Sequence, residues 1–368
     1  MGRRPQGEIA MSRTVQVRRA ALDEARIVEV PLPPLGQNEA RLKLESFSVT
    51  ANNVTYAVAG DAFGYWNFFP GEGEWGVVPM WGHAIVTEST HPAIPVGERV
   101  YGYLPMAEYL DVLPANLTPG GFSDAASHRQ PMSPVYNRYS RLGADPEHDP
   151  AREGERMVFG PLFRTGFMIE YFMRREDWFG AEQVVMTSAS SKTAMGTASV
   201  VRAKSPQIRR IGLTSAGNVA FVRASGFYDT VLSYDQIDSL PQVASVSVDF
   251  AGNSELLHRV HTALGSALKY SCTVGATHVG KGFGQTQGAL HGPAPVLFFA
   301  PDHIVAAMKD LGPQAFGDDV AVSWRTFLDD VGEALRIDER HGLEAARDAF
   351  AETLAGRADP AVGIVVRP

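Results

Sequence analysis

The stretch Val184 to Lys204, VVMTSASSKTAMGTASVVRAK, constrains this chain more than any other. An apolar, β-branched run ends in a cluster of small and hydroxylated residues, and a helix of small residues begins near Thr193. A strand that turns sharply into a helix aims several unpaired backbone N–H groups, and the positive end of the helix dipole, at one spot. That geometry binds phosphate. Ser188, Ala189, Ser190 and Ser191 are small enough for a pyrophosphate to come close, and Lys192 can add a full positive charge. The three-glycine fingerprint of dinucleotide sites is absent, since only Gly196 stands where a glycine is expected. Taken alone, the turn is equally a plain βα connection packed with small residues.

The residues that follow favour the nucleotide. Gln207 to Leu213 reads as a second strand, followed by a helix around Asn218 to Ser225. Strand-like runs at Thr230 to Leu232, Val243 to Phe250, Leu268 to Val274 and Val296 to Phe299 continue the series, with a helix from Asn253 through Leu264. Strands alternating with helices imply an α/β architecture, a doubly wound parallel sheet of the Rossmann type. Right-handed crossovers then put the phosphate turn at the carboxyl edge of the sheet, where ligands bind. An NAD site carries Asp or Glu about 20 residues past the glycines. Here Thr214, Ser215, Gly217 and Asn218 stand instead, with Arg209, Arg210 and Arg223 close in sequence. Hydroxyls without a repelling carboxylate tolerate a 2′-phosphate, so the expected cofactor is NADPH (NADP+). Ser190, Ser191, Lys192 and Thr193 are the expected diphosphate contacts. Thr273 and Gly275, after the sixth strand, are expected on the nicotinamide side.

Composition sets the outer limits. The chain has 368 residues, enough for two domains with their own cores. A net charge of −8 with no basic block argues against a nucleic-acid partner. The single cysteine, Cys272, excludes a disulfide within the chain and a cysteine-based zinc cluster. No apolar run approaches the roughly 18 residues that span a bilayer, so no membrane partner is expected. MGRRPQGEIA has no apolar signal core, which makes residues 1–12 an expected disordered extension of a cytoplasmic, soluble protein.

The first 150 residues differ from the middle. Short β-like runs at Thr14 to Val17, Ala25 to Val30, Glu39 to Phe47, Ile85 to Glu88 and Arg99 to Leu104 are punctuated by Pro and Gly. They predict a small, mostly antiparallel β-domain. Pro114 to Pro150 is polar and turn-rich, as in a long surface loop. Pro161 to Asp177 reads as an amphipathic helix, Leu343 to Leu354 as a later one, and Val362 to Val366 as a closing strand.

This order of parts resembles the medium-chain dehydrogenase/reductase superfamily. Pro31 to Gly36 with Glu39 to Lys43 resembles its opening hairpin. Gly82-His83 resembles its Gly-His-Glu motif, Val96 to Val100 its "vGDrV" strand and Ala107-Glu108-Tyr109 its "AEY". Thr214 to Tyr234 is similar to a segment of the quinone-oxidoreductase-like members. SASSKTA, NNVTYA and GYWNFFP resemble a bacterial branch designated only as a domain of unknown function. The resemblance implies a GroES-like catalytic domain over residues 13–155 and a dinucleotide-binding domain over 156–312. It implies that 313–368 return to the catalytic domain. Members often carry a Lys where Asn218 stands, to pair with the 2′-phosphate; here Ser215, Lys192 and Tyr234 can share that contact.

Departures from the superfamily pattern matter as much. Zinc members use Cys, His and carboxylate ligands around an open position. Here Ala84 replaces the motif's Glu and no cysteine precedes Cys272, so no metal is expected. His83, His91 and His128 read as satisfied polar or surface residues. Without a Lewis acid, developing negative charge must be met by hydrogen-bond donors. The resemblance places an Asn/Tyr pair on the segment Ala51 to Tyr56, which makes Tyr56 the candidate donor. Asn52 or Asn53 is then the candidate for orienting the substrate or the nicotinamide ribose. The alternative is that Tyr56 is a buried aromatic of the β-domain and Asn53 a turn residue.

Phe63 to Trp81 holds seven aromatics in 19 residues, broken by Gly and Pro. Phe63, Tyr65, Trp66, Phe69 and Trp81 either wall an apolar substrate pocket or form a satellite core. The leading expectation is a zinc-free, NADPH-dependent oxidoreductase that delivers a hydride to an activated C=C or C=O bond of an apolar carbonyl substrate. The candidates are an enone, a quinone or an enoyl thioester. A metal-free alcohol dehydrogenase or ketoreductase, and a non-catalytic NADP(H)-binding sensor or accessory protein, stand as alternatives. Ala294 to Ala300 suits either an edge strand for a homodimer or an interior strand.

Overall fold

The computed structural model describes residues 10–274, 290–332 and 335–368, which form two compact units. One comprises the described residues up to Val158 with Ile337–Ala358 and Gly363–Pro368. The other comprises Phe159–Arg336 and Asp359–Val362.

Short alternating runs build the first unit. β1 (Ala10–Arg18) lies between β2 (Ala21–Leu32) and β4 (Trp75–Gly76), antiparallel to both. Residues 10–12, expected in a disordered extension, are the start of β1 because they pair with Leu32, Pro31 and Val30. β3 (Ala40–Val49) buries Leu42 and Leu44, then Phe47 and Val49. A bulge between Leu44 and Ser46 shifts the alternation from even to odd positions. β3 pairs with β5 (Pro79–Ser89) and β7 (Tyr109–Val112), and β5 pairs with β6 (Arg99–Pro105). Between β3 and β4 stands the helix α1 (Ala51–Val58).

Pro114 to Pro150 is not the surface loop its composition suggested. It carries β8 (Pro114–Thr118), β9 (Gly121–Asp124), the one-turn α2 (Pro134–Asn137) and β10 (Arg138–Arg141), which extend the sheet beyond β6. Three of its polar side chains, Asp124, Asn137 and Tyr139, satisfy a buried arginine. Arg129 is fully buried and donates to Asp124 (3.0 Å), Asn137 (3.0 Å) and Tyr139 (2.9 Å), with its guanidinium over Phe68 and Phe69.

The expected border at 155 falls inside α3 (Glu153–Arg175), which starts eight residues before the expected Pro161 and includes that proline. A proline inside a helix removes one backbone donor and crowds the preceding turn. Packing of the long apolar face outweighs that cost here: Phe159, Phe163 and Phe167 meet Phe316, Trp324 and Phe327 of α8 (Pro313–Val331). Those aromatic contacts also hold α8 in the second unit, although residues from 313 onward were expected with the β-domain.

Parallel strands β11 (Gln183–Met186), β12 (Arg209–Thr214), β13 (Thr230–Ser233), β14 (Ser245–Asp249), β15 (Leu268–Thr273) and β16 (Val296–Leu297) form the sheet of the second unit. Their order is β13-β12-β11-β14-β15-β16. The crossovers include α4 (Lys192–Lys204), α5 (Val219–Ala224) and α6 (Ser254–Leu264). Val185, Ile211 and Leu213 of the sheet pack with Leu256, Val260 and Leu264 of α6. On α3, Gly166 lets α4 approach: a Cβ there would lie 2.6 Å from the Thr197 nitrogen. The strand order reverses between β11 and β14, and in open parallel sheets ligands bind at that point, outside the carboxyl ends. β16 is the sheet's edge, with Val296 and Leu297 about half exposed, and α7 (Ala300–Leu311) follows it.

The chain then supplies β17 (Arg336–His341), α9 (Leu343–Leu354) and β18 (Val362–Arg367). β18 pairs antiparallel with β3, Ile364 opposite Val49, and β17 lies beyond it at the edge of the first unit's larger sheet. No helix among the described residues is long and apolar enough to cross a membrane.

Candidate functional site

β11 ends at Met186 and α4 begins at Lys192, so five residues make the elbow. Ser188 adopts a left-handed conformation, φ 48°. This strained geometry is rare outside glycine and asparagine, and it tightens the turn without a glycine. Ser191 is the N-cap of α4, its hydroxyl accepting from the Ala194 N–H at 3.3 Å. Ala189 N–H is spent on Leu213 O and Ser191 N–H on Ser188 O. No hydrogen bond ties the backbone N–H of Ser190, Lys192 or Thr193 to another described residue. Three donors and the positive end of α4 therefore stand available to an anion.

The flanking side chains converge on the same turn. Asn218 Nδ2 donates to Ser190 Oγ at 3.1 Å, and Ser188 N–H donates to the Tyr234 hydroxyl at 3.3 Å. Gly212 of β12 allows the close approach of Ala189, whose Cβ would sit 3.0 Å from a Cβ at Gly212. Ser215, exposed, follows the end of β12. The expected help from Arg209 and Arg210 does not materialise. They occupy the amino end of β12, roughly 13–17 Å along the strand from the elbow side, and Arg210 is paired with Asp229. Arg223 is turned to the Val231 carbonyl. Lys192 is not free either: its half-buried ammonium lies 3.4 Å from Pro360 O. Burial pushes it down to about 8, against the pull of Asp359.

At the strand-order switch, Thr187 Oγ1 donates to Asp249 at 2.5 Å, and the N–H groups of Ala251 and Gly252 also bond the Asp249 carboxylate. Sequence reasoning missed this pair, because it arises from the register of two strands distant in sequence. The available signal was Asp249 itself, a carboxylate closing an apolar strand. Thr273 pairs beside Asp249 in register and turns its hydroxyl to Val296 O at 3.4 Å. Gly275 lies outside the described residues.

In the first unit the tyrosine segment is the helix α1, and its two asparagines have different duties. Asn53 is buried and structural: its Oδ1 accepts from Thr50 N–H at 2.6 Å, closing a capping box, and its Nδ2 donates to Pro79 O at 2.8 Å. These bonds tie Asn53 to the start of α1 and to β5, and leave one Nδ2 hydrogen uncommitted. Asn52, one turn before Tyr56, donates to the Tyr56 hydroxyl at 2.6 Å, and Trp81 Nε1 donates to the same oxygen at 3.0 Å. Burial drives the Tyr56 phenol well above its ordinary value, with Tyr65 adding to the effect; Trp81 and Asn52 oppose it without prevailing. Tyr56 is therefore a neutral phenol across the physiological range.

Around it lies an aromatic cluster rather than a uniform pocket wall. Tyr65, Tyr103 and Tyr136 have ring centroids 4.7, 5.3 and 6.1 Å from that of Tyr56. Tyr136 was not anticipated, since it comes from the stretch taken for a loop. Trp66 is no pocket residue: it fills the space left by Gly60 and Gly76, where added Cβ atoms would sit 2.1 and 2.4 Å from its ring. Phe69 packs on Tyr103 and under Arg129, also as core. Phe63 is 37% exposed, and its ring centroid lies 6.3 Å from that of Tyr65. Of the five expected residues, Tyr65 and Trp81 adjoin Tyr56. His83 is neither satisfied nor at the surface. It is fully buried with both ring nitrogens unpaired, and burial pushes it down to about 3, which keeps it neutral. Among the described residues no three His, Cys, Asp or Glu side chains converge as metal ligands would.

Comparison with known proteins agrees with the architecture. A family model described as "Protein of unknown function (DUF2855)" matches residues 47–359. The solved structure of CurA from Vibrio vulnificus superposes with a TM-score of 0.57 at 15% identity, covering 97% of this chain and 98% of that one. CurA in complex with NADPH gives 0.56 at 14% identity, covering 96% and 98%. A thermostable alcohol dehydrogenase from Pyrobaculum aerophilum gives 0.55 at 16% identity, covering 98% and 100%. At such identities the likeness establishes the fold. A comparison with curated protein sequences returned no match.

Proposed function

This chain belongs to the family described as Protein of unknown function (DUF2855), with the medium-chain dehydrogenase/reductase fold, and from that starting point we propose that it is an NADPH-dependent reductase working without zinc. Its substrate is an apolar carbonyl compound with an activated C=C or C=O bond. The observation that carries this reading is Tyr56: a buried, neutral phenol whose oxygen already receives two hydrogen bonds. Such a group can offer its proton and little else.

The elbow supports the choice of cofactor. Unpaired N–H groups at Ser190, Lys192 and Thr193 suit a diphosphate, and no acidic residue occupies Thr214 to Asn218 to repel a 2′-phosphate. The structural relative CurA was solved with NADPH. When bound, the cofactor supplies a hydride, the two-electron half of the reduction. Ser190, Lys192 and Thr193 would hold the diphosphate, with Ser215 and Asn218 available to the adenosine end. The Tyr56 hydroxyl bonds the substrate carbonyl, draws charge toward its oxygen and gives up the proton that completes the product. The tyrosinate then recovers a proton from water, so each turnover consumes one hydride and one proton.

A panel of enones, quinones and simple ketones, tested with NADPH against wild type and Tyr56→Phe, decides the matter. Turnover of an enone or quinone that falls at least 100-fold in Y56F is the expected result. Faster turnover of simple ketones points to the ketoreductase reading. A second reading has its own observation. Lys192 is tied to Pro360 and Ser188 N–H to Tyr234, so the elbow is partly self-satisfied, as in a nucleotide sensor that has lost its reaction. NADPH binding without turnover across the panel supports that alternative.

A further inference from the structure

We propose that Asn52 and Trp81 are positioning residues that make Tyr56 an obligate hydrogen-bond donor, held in place by a clip from Asn53; the inference rests on the reading of Tyr56 given above. A phenolic oxygen has two acceptor positions and one proton. Asn52 Nδ2 and Trp81 Nε1 fill the two positions, at 2.6 and 3.0 Å. The indole N–H has no acceptor capacity, so Trp81 alone fixes the polarity of its bond: Tyr56 must accept from it. The remaining direction belongs to the Tyr56 proton, for which the neighbouring Tyr103 and Tyr136 hydroxyls compete until a substrate carbonyl takes it.

Each partner is held by something rigid. Asn52 and Tyr56 are four residues apart on α1, the spacing at which helical side chains meet. Trp81 lies on β5 and stacks on Tyr101 with ring centroids 5.8 Å apart at 24°. The distance between helix and strand is set by Asn53, whose Nδ2 grips Pro79 O two residues before Trp81. Three side chains that the reaction does not touch thus form a bracket around one that it does. The bracket also anticipates the product of proton loss. Negative charge left on the Tyr56 oxygen is met by two donors already in place, with no reorganisation.

The chemistry predicts different behaviour from different substitutions. Trp81→Phe keeps the stacked ring and removes one donor; Asn52→Ala removes the other. Each should lower kcat about 10-fold with KM changed less than about 3-fold, as expected for a bond that strengthens only as charge develops. Asn52→Asp places an acceptor against the same oxygen, captures the Tyr56 proton and should cost about 100-fold, more than removing the amide. A merely structural role predicts the reverse order, since Asp is closer to Asn in shape than Ala is.

The hydrogen bond can also be read without substrate or cofactor. With 15N-labelled tryptophan, the indole N–H signal that disappears in W81F is assigned to Trp81. It should shift upfield in Tyr56→Phe while the others stay. A Trp81 signal unmoved by Y56F overturns the bracket, as does wild-type kcat in W81F and N52D when Y56F is inactive. Turnover that survives in Y56F instead removes the functional reading, whatever the indole signal does. Should W81F fail to fold, Asn52, half-exposed at the start of α1, carries the test through N52A and N52D.

Discussion

Thr187 Oγ1 donates to the Asp249 carboxylate at 2.5 Å, joining the carboxyl ends of β11 and β14 where the strand order of the sheet reverses. The same hydroxyl oxygen accepts from the N–H groups of Phe250 and Ala251, at 3.0 and 3.2 Å. Thr187→Val keeps the shape and removes the hydroxyl. It should cost about 1–3 kcal/mol for each buried group left unpaired, and Thr187→Ser should recover most of it. Denaturant unfolding measures both; a loss in T187V below about 0.5 kcal/mol contradicts the pairing.

Lys192 gives a pH-dependent prediction. Its ammonium is pushed down to about 8 in the folded protein, below the ordinary lysine value, so the unfolded chain binds the extra proton more readily. The cost of that charge to folding is present in full below about pH 8 and is relieved as pH rises toward 10. Nucleotide phosphate favours the charged form, so NADPH binding near pH 8 should take up a proton, and affinity should weaken above that pH. Calorimetric titration at pH 8 in two buffers of different ionisation enthalpy reads the uptake. Identical heats in both buffers count against Lys192 as a phosphate contact, and Lys192→Met should abolish any difference.

His83 titrates in the opposite window. Burial, helped by Arg156 and Arg99, holds it neutral down to about 3, whereas the unfolded chain takes up a proton below about 6.5. Stability should therefore fall as pH drops through 6.5 toward 3, with this residue contributing up to about 1.4 kcal/mol per pH unit. His83→Leu removes two unpaired buried nitrogens and should flatten that part of the curve without loss at pH 7. An unchanged acid slope in H83L means that other groups carry it.

Gly60 and Trp66 test the division of the aromatic residues into core and site. A Cβ at Gly60 would lie 2.1 Å from the indole nitrogen of Trp66. Gly60→Ala should destabilise by about 1–3 kcal/mol through overpacking, while kcat of the remaining folded protein stays within about 2-fold. A large fall in kcat at unchanged melting temperature contradicts the assignment of Trp66 to the core.

What was legible in the sequence was what is local. The β-branched run into SASSKT announced the elbow, because strand, turn chemistry and N-cap are contiguous. The alternation from Gln183 to Leu297 announced the parallel sheet. The short strands between Pro114 and Arg141 were hidden because Arg129, Asp124 and Asn137 are polar for a buried reason, and polarity reads as exposure. Pro161 hid the start of α3, since aromatic packing overrode a local rule. The Asn pair before Tyr56 drew attention, but its roles could not be divided without knowing that Pro79 and Trp81 face α1. Those contacts span 26 and 25 residues, and no periodicity within either segment encodes them.

The central claim is that the elbow grips the diphosphate of NADPH, and calorimetric titration of the folded protein with NADPH tests it most directly. The account predicts saturable binding with a submillimolar Kd, lost in Ser190→Asp, whose carboxylate stands among the open N–H groups, while melting of the nucleotide-free variant stays near wild type. Absence of binding to the wild-type protein at millimolar NADPH, or binding to Ser190→Asp as tight as wild type, contradicts it.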